Sequence, residues 1–450
     1  MKQYKRILFS FIPLVLFSSC SGLLDLEPET QVSDQGVISD KRTSLAALYG
    51  IYNNLQSSYP TTVTAFNLAG DNVITYANPT IIVPDRNVED NGGAPFSALY
   101  VTINRANFII HRVPGVVDNQ FTSAERNQII GEAYFLRALT YFDLARFYGG
   151  VQLITKPTER IDTHKGLKRS SLPATYEQVL ADLNEAERLI TNTTDRSRAT
   201  VYAVYALKAR LFLYTEQWDQ AEEYASKTIA TSGLALVKPY TAFYTTKLSN
   251  ESIFEIVFTA ADANTYWRSY LSRDDGGNQT YVPEASLIAA LRDSERGGTR
   301  QQVLRESSQE PGLFAIQLYN KKDGTGSLFV LRLAEQYLIR AEARARKTNA
   351  DIAAAIEDIR AVQARAEVTS VLELTATSAA EDVLAAIEHE RRLELAFEGH
   401  RFSDLVRTGR AGEVLGEYNA LLKESYQWVF PIPASSVEKD PALEQNPGFE

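Results

Sequence analysis

Three stretches of the chain carry the same five-residue order of apolar and polar positions. Tyr134-Phe135-Leu136-Arg137-Ala138, Tyr205-Ala206-Leu207-Lys208-Ala209 and Tyr337-Leu338-Ile339-Arg340-Ala341 each read Tyr, any residue, aliphatic, long cation, Ala. Each lies in a run whose apolar residues recur every three to four positions, the period of an amphipathic helix. The first two copies begin 71 residues apart, close to twice the ~34-residue unit of a tetratricopeptide array. One such helix cannot bury its own stripe, so the pattern predicts helix pairs stacked on a common core. Chance likeness among amphipathic helices is the competing explanation, since Leu, Ala and Arg all favour helix.

The rest of the chain fits around those copies. Leu45, Leu48, Tyr49, Tyr52 and Leu55 mark a first helix, and the Pro-, Asn-, Asp- and Gly-rich stretch 57–95 reads as loop. Leu99, Ile103, Ala106 and Ile110 mark a second helix. Thr122-x-x-Glu125 is a capping box for the first-copy helix, which Gly149-Gly150 ends. Val151–Ile154 reads as a short strand, and Thr175-x-x-Gln178 as the cap of the next helix. A helix over about 200–214, a turn at Glu216-Gln217 and a partner helix bearing Trp218, Ala221 and Ala225 make one tetratricopeptide-like unit. The third copy pairs with 351–365. Helical repeats thus span about 43–235 and 330–405. Between them an irregular insertion, about 239–328, holds a strand-like run at Ile253–Phe258 and several glycine turns. Loops carried on a rigid scaffold hold most binding residues, so the insertion is where function is expected. Ser378-x-x-Glu381 caps a last long helix leading into the charged run Glu388–Leu405. The fold class is mostly α: a tetratricopeptide-like superhelix with a loop-rich insertion and a few short strands.

Residues 1–19 do not belong to that fold. Lys2, Lys5 and Arg6 precede an apolar run, Ile7–Phe17, too short to span a bilayer but suited to a secretory leader. Phe17-Ser18-Ser19-Cys20 resembles a bacterial lipoprotein processing site, with Phe17 where Leu is usual; ordinary secretion or a buried free thiol are the alternatives. Ser21 after the Cys favours the outer membrane. Residues 20–40 read as a lipidated tether, with Asp25, Glu27, Pro28 and Glu29 and no helical period.

Composition narrows the function. A net charge of −10 argues against a grip on nucleic-acid phosphates. One Cys and four His give no internal disulfide and make a structural zinc site improbable. No phosphate-binding glycine loop or nucleophile elbow occurs, and no cofactor or metal is expected. Asp274-Asp275-Gly276-Gly277-Asn278 has oxygen ligands without calcium-loop spacing and reads as a turn. Glu390, Glu394 and Glu398 fall at i, i+4 and i+8 with Arg391 and Arg401 near enough to pair, an arrangement of ion pairs rather than of acid and base. The 23 Tyr and 20 Phe leave ample aromatic surface for ligand contacts. Sugar rings lay their C–H faces on aromatic rings while Asp, Asn and Arg bond the hydroxyls. Two loop clusters offer that mixture: Asp71, Asn72, Tyr76 and Asn78, and then Tyr266, Trp267, Arg268, Tyr270 and Tyr281. Packing of the insertion onto the helices accounts for the same rings equally simply.

Two late stretches carry a family resemblance. Glu390-Arg391-Arg392-x-Glu394-Leu395-x-x-Glu398-Gly399-x-Arg401, followed by Asp404-Leu405, resembles the late hallmark of the SusD/RagB nutrient-binding outer-membrane lipoproteins, with Ser403 where an aromatic is frequent. Pro431-Ile432-Pro433, Gln445–Phe449, Gly149-Gly150-Val151 and Cys20 with Leu24-Asp25 resemble further parts of that family in the right order. The resemblance implies a single domain over 41–450, a looped face that binds a glycan or a peptide, and a SusC-like TonB-dependent transporter as partner. Membrane attachment would be through lipid on Cys20. No catalytic residue is implied. The rivals are a hydrolase using Asp71 and Glu284, and a tetratricopeptide scaffold that binds only proteins.

Overall fold

The computed structural model describes residues 38–77, 95–160, 162–369 and 373–449. Cys20, Asn78, the leader and nearly all of the tether lie outside them. Helices pack in consecutive pairs: α1 (Lys41–Ala69) on α2 (Phe96–Arg112), α3 (Ser123–Tyr148) on α4 (Leu172–Leu189), and α5 (Val201–Tyr214) on α6 (Trp218–Ile229). The irregular segment follows, with α7 (Ala242–Thr245), α8 (Trp267–Tyr270) and α9 (Ala285–Arg292). Helix α10 (Leu333–Arg346) then packs on both α6 and α11 (Ile352–Arg365), so the array resumes where it stopped. Helix α12 (Ala380–Glu394) packs on α10, and α13 (Arg401–Arg407) packs on α1. The mostly α, tetratricopeptide-like expectation holds.

The five-residue pattern is a packing unit. Leu136, Leu207 and Ile339 are fully buried, as are Ala138, Ala209 and Ala341. The small Ala lets a neighbouring helix approach while the aliphatic fills the core. The cation finds a carboxylate on an adjacent helix: Arg137–Asp182 on α4 at 2.6 Å, Arg340–Asp358 on α11 at 2.6 Å, and Lys208 on Glu187 of α4. Arg137 and Arg340 also lie over the Tyr of their own copy, at 5.3 and 5.4 Å.

Among the described residues three two-stranded antiparallel sheets order the insertion, and the first ties it to the segment after α1. They are β1 (Val73–Thr75) with β3 (Tyr281–Pro283), β2 (Ser252–Ile256) with β6 (Leu328–Arg332), and β4 (Leu304–Glu306) with β5 (Phe314–Ile316). The β2–β6 pair closes the insertion at its base, directly before α10.

Several boundaries differ from the sequence reading. Helix α1 runs through Pro60 to Ala69 rather than ending near 57, because the apolar period continues as Tyr59, Val63 and Phe66, all buried. Residues 151–154 form no strand; the Tyr141 hydroxyl takes both backbone groups of Ile154, accepting from its N–H at 2.7 Å and donating to its carbonyl at 2.9 Å. Ser171, not Thr175, caps α4, with Pro173 in the first turn. Helix α12 starts after Ala379, and Ser378 accepts instead from the Thr375 N–H at 2.9 Å. The break after α3 is as expected: Gly149 is left-handed at φ +72°, and a Cβ on Gly150 would sit 2.0 Å from the Ser170 carbonyl oxygen.

The charged run is a buried ionic cluster, and its pairing departs from expectation. Helix α12 ends at Glu394, so Glu398 lies beyond it in the turn to α13. The partners of the three glutamates come from elsewhere in the chain: Arg300 bonds Glu390 and Glu394, Arg332 bonds Glu251, Glu394 and Glu398, and Arg365 bonds Glu251 and Glu394. Arg391 and Arg401 turn to Asp404 and to Asp71 and Glu388. The carboxyls also separate. Burial would raise Glu394, but Arg365, Arg332 and Arg300 outweigh it and hold it at about 2. Burial dominates at Glu390 and Glu398, whose values are raised despite Arg300 and Arg332. The turn itself is clamped to α1: Asn67 donates to the Phe397 carbonyl at 2.8 Å and accepts from the Gly399 N–H at 2.9 Å.

Two outcomes follow. Arg332→Met leaves buried Glu398 without its cation and takes one of the cations from Glu251 and Glu394, and should lower stability by about 3–5 kcal/mol, read as a fall in urea midpoint at constant slope; removing the exposed Arg188–Glu185 pair should not shift it. His400 is buried, and burial, with the charges of Arg210, Arg391, Arg146 and Arg332, holds its imidazole well below the ordinary range. The folded protein therefore leaves it neutral while the unfolded chain protonates near pH ~6.5. Below that pH the unfolded state binds the extra proton, so stability falls as pH drops, by up to about 1.4 kcal/mol per unit. Urea unfolding at pH 7.5, 6.5 and 5.5 should give a shallower decline in His400→Gln than in the parent.

Candidate functional site

Strand pairing joins the two loop clusters that the sequence singled out. Thr75 lies opposite Tyr281, and the Tyr76 N–H donates to the Thr280 carbonyl at 2.9 Å. Within that junction the candidates divide by environment.

Asp71 and Asn72 are buried and committed to structure. Asp71 takes a two-pronged bond from Arg401, at 2.6 and 3.2 Å, and an ion pair from Arg392 at 3.0 Å. The Asn72 side-chain oxygen accepts from Arg392 at 3.1 Å, and its carbonyl accepts from the Glu284 N–H at 3.0 Å. Glu284 caps α9, accepting from the Ser286 N–H at 2.6 Å. The hydrolase rival asked Asp71 and Glu284 to act as acid and base, yet one is neutralised by two guanidinium groups and the other is a helix cap.

The tyrosines form a nested cluster. Tyr270 is buried, its ring 4.8 Å from Tyr319, 5.4 Å from Tyr281 and 6.4 Å from Tyr266, and its hydroxyl is 2.7 Å from the Thr64 hydroxyl of α1. Burial pushes the Tyr266 and Tyr270 phenols above their ordinary value. Tyr270 is thus a core residue that packs the insertion onto α1, and Tyr281 is half-buried against it. Tyr76 is half-buried with Arg273 stacked 4.5 Å from its ring centre, and it donates to Glu310 at 2.9 Å. Trp267 is half-buried, with exposed Arg268 lying 5.2 Å over its ring.

An open depression of about 450 Å³ lies where the insertion meets the outer face of α1. Asn53, Gln56, Ser57 and Pro60 line it from α1, and Phe258, Asp262, Asn264 and Tyr266 from the insertion. Pro60 has no N–H, so the Gln56 carbonyl lacks its usual i+4 donor at the edge of the depression. Gln56 donates to Asp262 at 2.5 Å and to the Val257 carbonyl at 2.7 Å. Burial would raise the Asp262 carboxyl, but bonds from Thr259 and Gln56 outweigh it and keep it below its ordinary value. The Asn264 amide nitrogen donates to the Gly324 and Gly326 carbonyls at 2.8 and 3.0 Å, while its buried side-chain oxygen has no partner. A ring edge, fixed amide and carboxylate acceptors and one unused acceptor are the groups that hold hydroxylated ligands.

Of the sequence candidates among the described residues, only Tyr266 reaches this depression. The residues missed are Asn53, Gln56, Ser57, Asp262 and Asn264. The first three, with Pro60, fall at i, i+3, i+4 and i+7, one face of a helix; that signal was present but hidden by treating the stretch after Gln56 as loop.

Comparison with known proteins agrees with this architecture. A family model described as "SusD family" matches residues 316–449, and another, "Starch-binding associating with outer membrane", matches 23–213. A SusD-like protein of Formosa agariphila is 25% identical over 99% of each chain. One of Bacteroides ovatus is 25% identical over 52% of this chain and 46% of its own. Among solved structures, a laminarin-binding SusD-like protein superposes with a TM-score of 0.75 at 24% identity, covering 91% of this chain and 100% of that one. A SusD superfamily protein of Bacteroides vulgatus gives 0.79 at 21% identity, over 91% and 99%.

Asp71→Asn should separate structure from binding: the paired charge is lost, stability falls by about 1.5–3 kcal/mol, and affinity for any ligand held at the α1 depression stays unchanged. Thermal melts and calorimetric titration of the same preparation check both. With matches at both ends of the chain, relatives along its full length and the shared stack of helix pairs, the chain belongs to the SusD/RagB family.

Proposed function

We propose that the protein is a cell-surface receptor that captures an oligosaccharide and passes it, unaltered, to a TonB-dependent channel of the SusC type. Residues 1–19 serve as leader, Cys20 carries the lipid, 20–40 form the tether and 41–450 the receptor domain. The observation that carries the reading is the α1 depression, which joins Tyr266 and Phe258 to amide and carboxylate groups held in place by their own hydrogen bonds. Preorganised acceptors bind hydroxyls without the ordering cost that flexible side chains incur. Trp267 and Arg268, adjoining Tyr266 in sequence, extend the candidate surface. The family description as starch-binding and outer-membrane-associated, and the laminarin-binding relative, support a glycan as the cargo class. Among the described residues no helix is long and apolar enough to cross a membrane.

Calorimetric titration of the full-length protein with starch and laminarin oligosaccharides should show saturable binding to at least one of them. Asn264→Ala and Gln56→Ala should each weaken it about tenfold, the loss of one good hydrogen bond. New reducing ends should not accumulate during incubation. Their release at enzymatic rates, or variants that bind like the parent, would overturn the reading.

A further inference from the structure

A second cavity, of about 460 Å³, lies among α10, α12 and α13, away from the residues of the α1 depression. Six guanidinium groups line it: Arg346, Arg391, Arg392, Arg401, Arg407 and Arg410. Four carboxylates line it too, and three are already shared between two cations each. Asp404 is held by Arg391 and Arg407, Glu342 by Arg346 and Arg407, and Glu388 by Arg401 and Arg410. Glu381 is exposed at the edge. Asp71 and exposed Glu413 take further bonds from Arg392, Arg401 and Arg410.

Those acids leave donors over. Arg391 is 3% exposed, and its Nε and Nη2 bond Asp404 while its Nη1 is buried with no partner. Arg346 uses only its Nε, on Glu342, and Arg392 uses its Nε and Nη2. Guanidinium groups are fixed forks whose unused N–H groups match the spacing of oxygen pairs on a carboxylate or a sulfate. A buried charged donor left without an acceptor is costly, so this arrangement favours an incoming acceptor. The apolar parts of Leu384, Ala385 and Leu395 form one wall, which suits a small carbon skeleton beside the acid group.

We propose that this cavity is an anion site that takes a carboxylate or sulfate group, with Arg391, Arg346 and Arg392 as donors. The chemistry is shared by a uronic acid, a sulfated sugar and a free inorganic anion, and titration separates them. Full-length protein is titrated with glucuronate, glucose 6-sulfate, inorganic sulfate and neutral glucose at constant ionic strength set with chloride. An acidic sugar binding more tightly than inorganic sulfate assigns the site to acidic glycans; sulfate binding as tightly assigns it to the free anion. Ala385→Trp, on the exposed side of α12, should block the cavity and abolish anion binding with an unchanged melting curve. Arg346→Gln should weaken it about tenfold. Binding of a neutral oligosaccharide at the α1 depression should be unaffected by either change, so failure of this site and failure of the glycan reading are told apart. The proposal falls if no anion binds beyond the chloride control, or if both variants bind anions like the parent.

Discussion

The structure depends on a knot of seven buried charges. Arg300, Arg332 and Arg365 meet Glu251, Glu390, Glu394 and Glu398 where hardly any water reaches. Burying any of these ions alone would be prohibitive, and together they are tolerable only if every carboxylate is met. The participants come from five places: the residue before β2, the insertion's own helical turn, the end of β6, the end of α11, and the end of α12 with the turn after it. The cluster therefore does not so much add stability as forbid alternatives. An insertion docked in another register would strand at least one charge.

That constraint shapes the ligand side. Glu251 and Arg332 flank the β2–β6 pair, so both ends of the irregular segment are fixed to the α10–α12 block. Asn67 and the Tyr319 hydroxyl both bond the Phe397 carbonyl, tying the motif's turn to α1 and to the tyrosine cluster. The α1 depression is built between these anchored parts. Its polar groups are held by neighbours, Gln56 on Asp262 and Asn264 on two glycine carbonyls, rather than by the ligand they would meet. Groups placed this way lose little further freedom when a ligand arrives, which lowers the ordering cost of binding.

The helical array was legible from sequence because its units obey a local rule. Tyr, aliphatic, cation and Ala repeat at fixed spacing, and each position has one packing job that the structure repeats. Caps were less legible. Thr122 caps α3 as read, whereas Thr175 and Ser378 have the right residue types at the wrong register, because Pro173 in a first turn and Ala379 in extended backbone decide those helix starts. The glutamate run was correctly read as structural but with the wrong partners. A helical period shows which glutamates share a face; it cannot show arginines brought in from 300, 332 and 365. Candidate ligand contacts were the hardest to read. Asp, Asn and Tyr in a loop look alike whether they meet a sugar or hold the loop to its scaffold, and Asp71, Asn72 and Tyr270 turn out to do the second.

The same comparison points to where binding chemistry can reside in this fold. The acids of the charged motif are already paired, so removing one of their partners is felt as lost folding before it is felt as changed recognition. Unused hydrogen-bonding capacity remains inside the knot, at Arg300 Nη1 and Arg365 Nε, and beside the two cavities, at the Asn264 oxygen by the α1 depression and the Arg391 Nη1 by the arginine cavity. Asn264 is fixed by two backbone carbonyls and Arg391 by the Asp404 carboxylate, and neither is saturated by those bonds. A scaffold organised this way separates two demands. Buried ion pairs set the frame and need every carboxylate met, whereas recognition draws on donors and acceptors left over beside a cavity. Changing the ligand then means changing the outer partner of such a group, and the ionic frame beneath it can stay as it is.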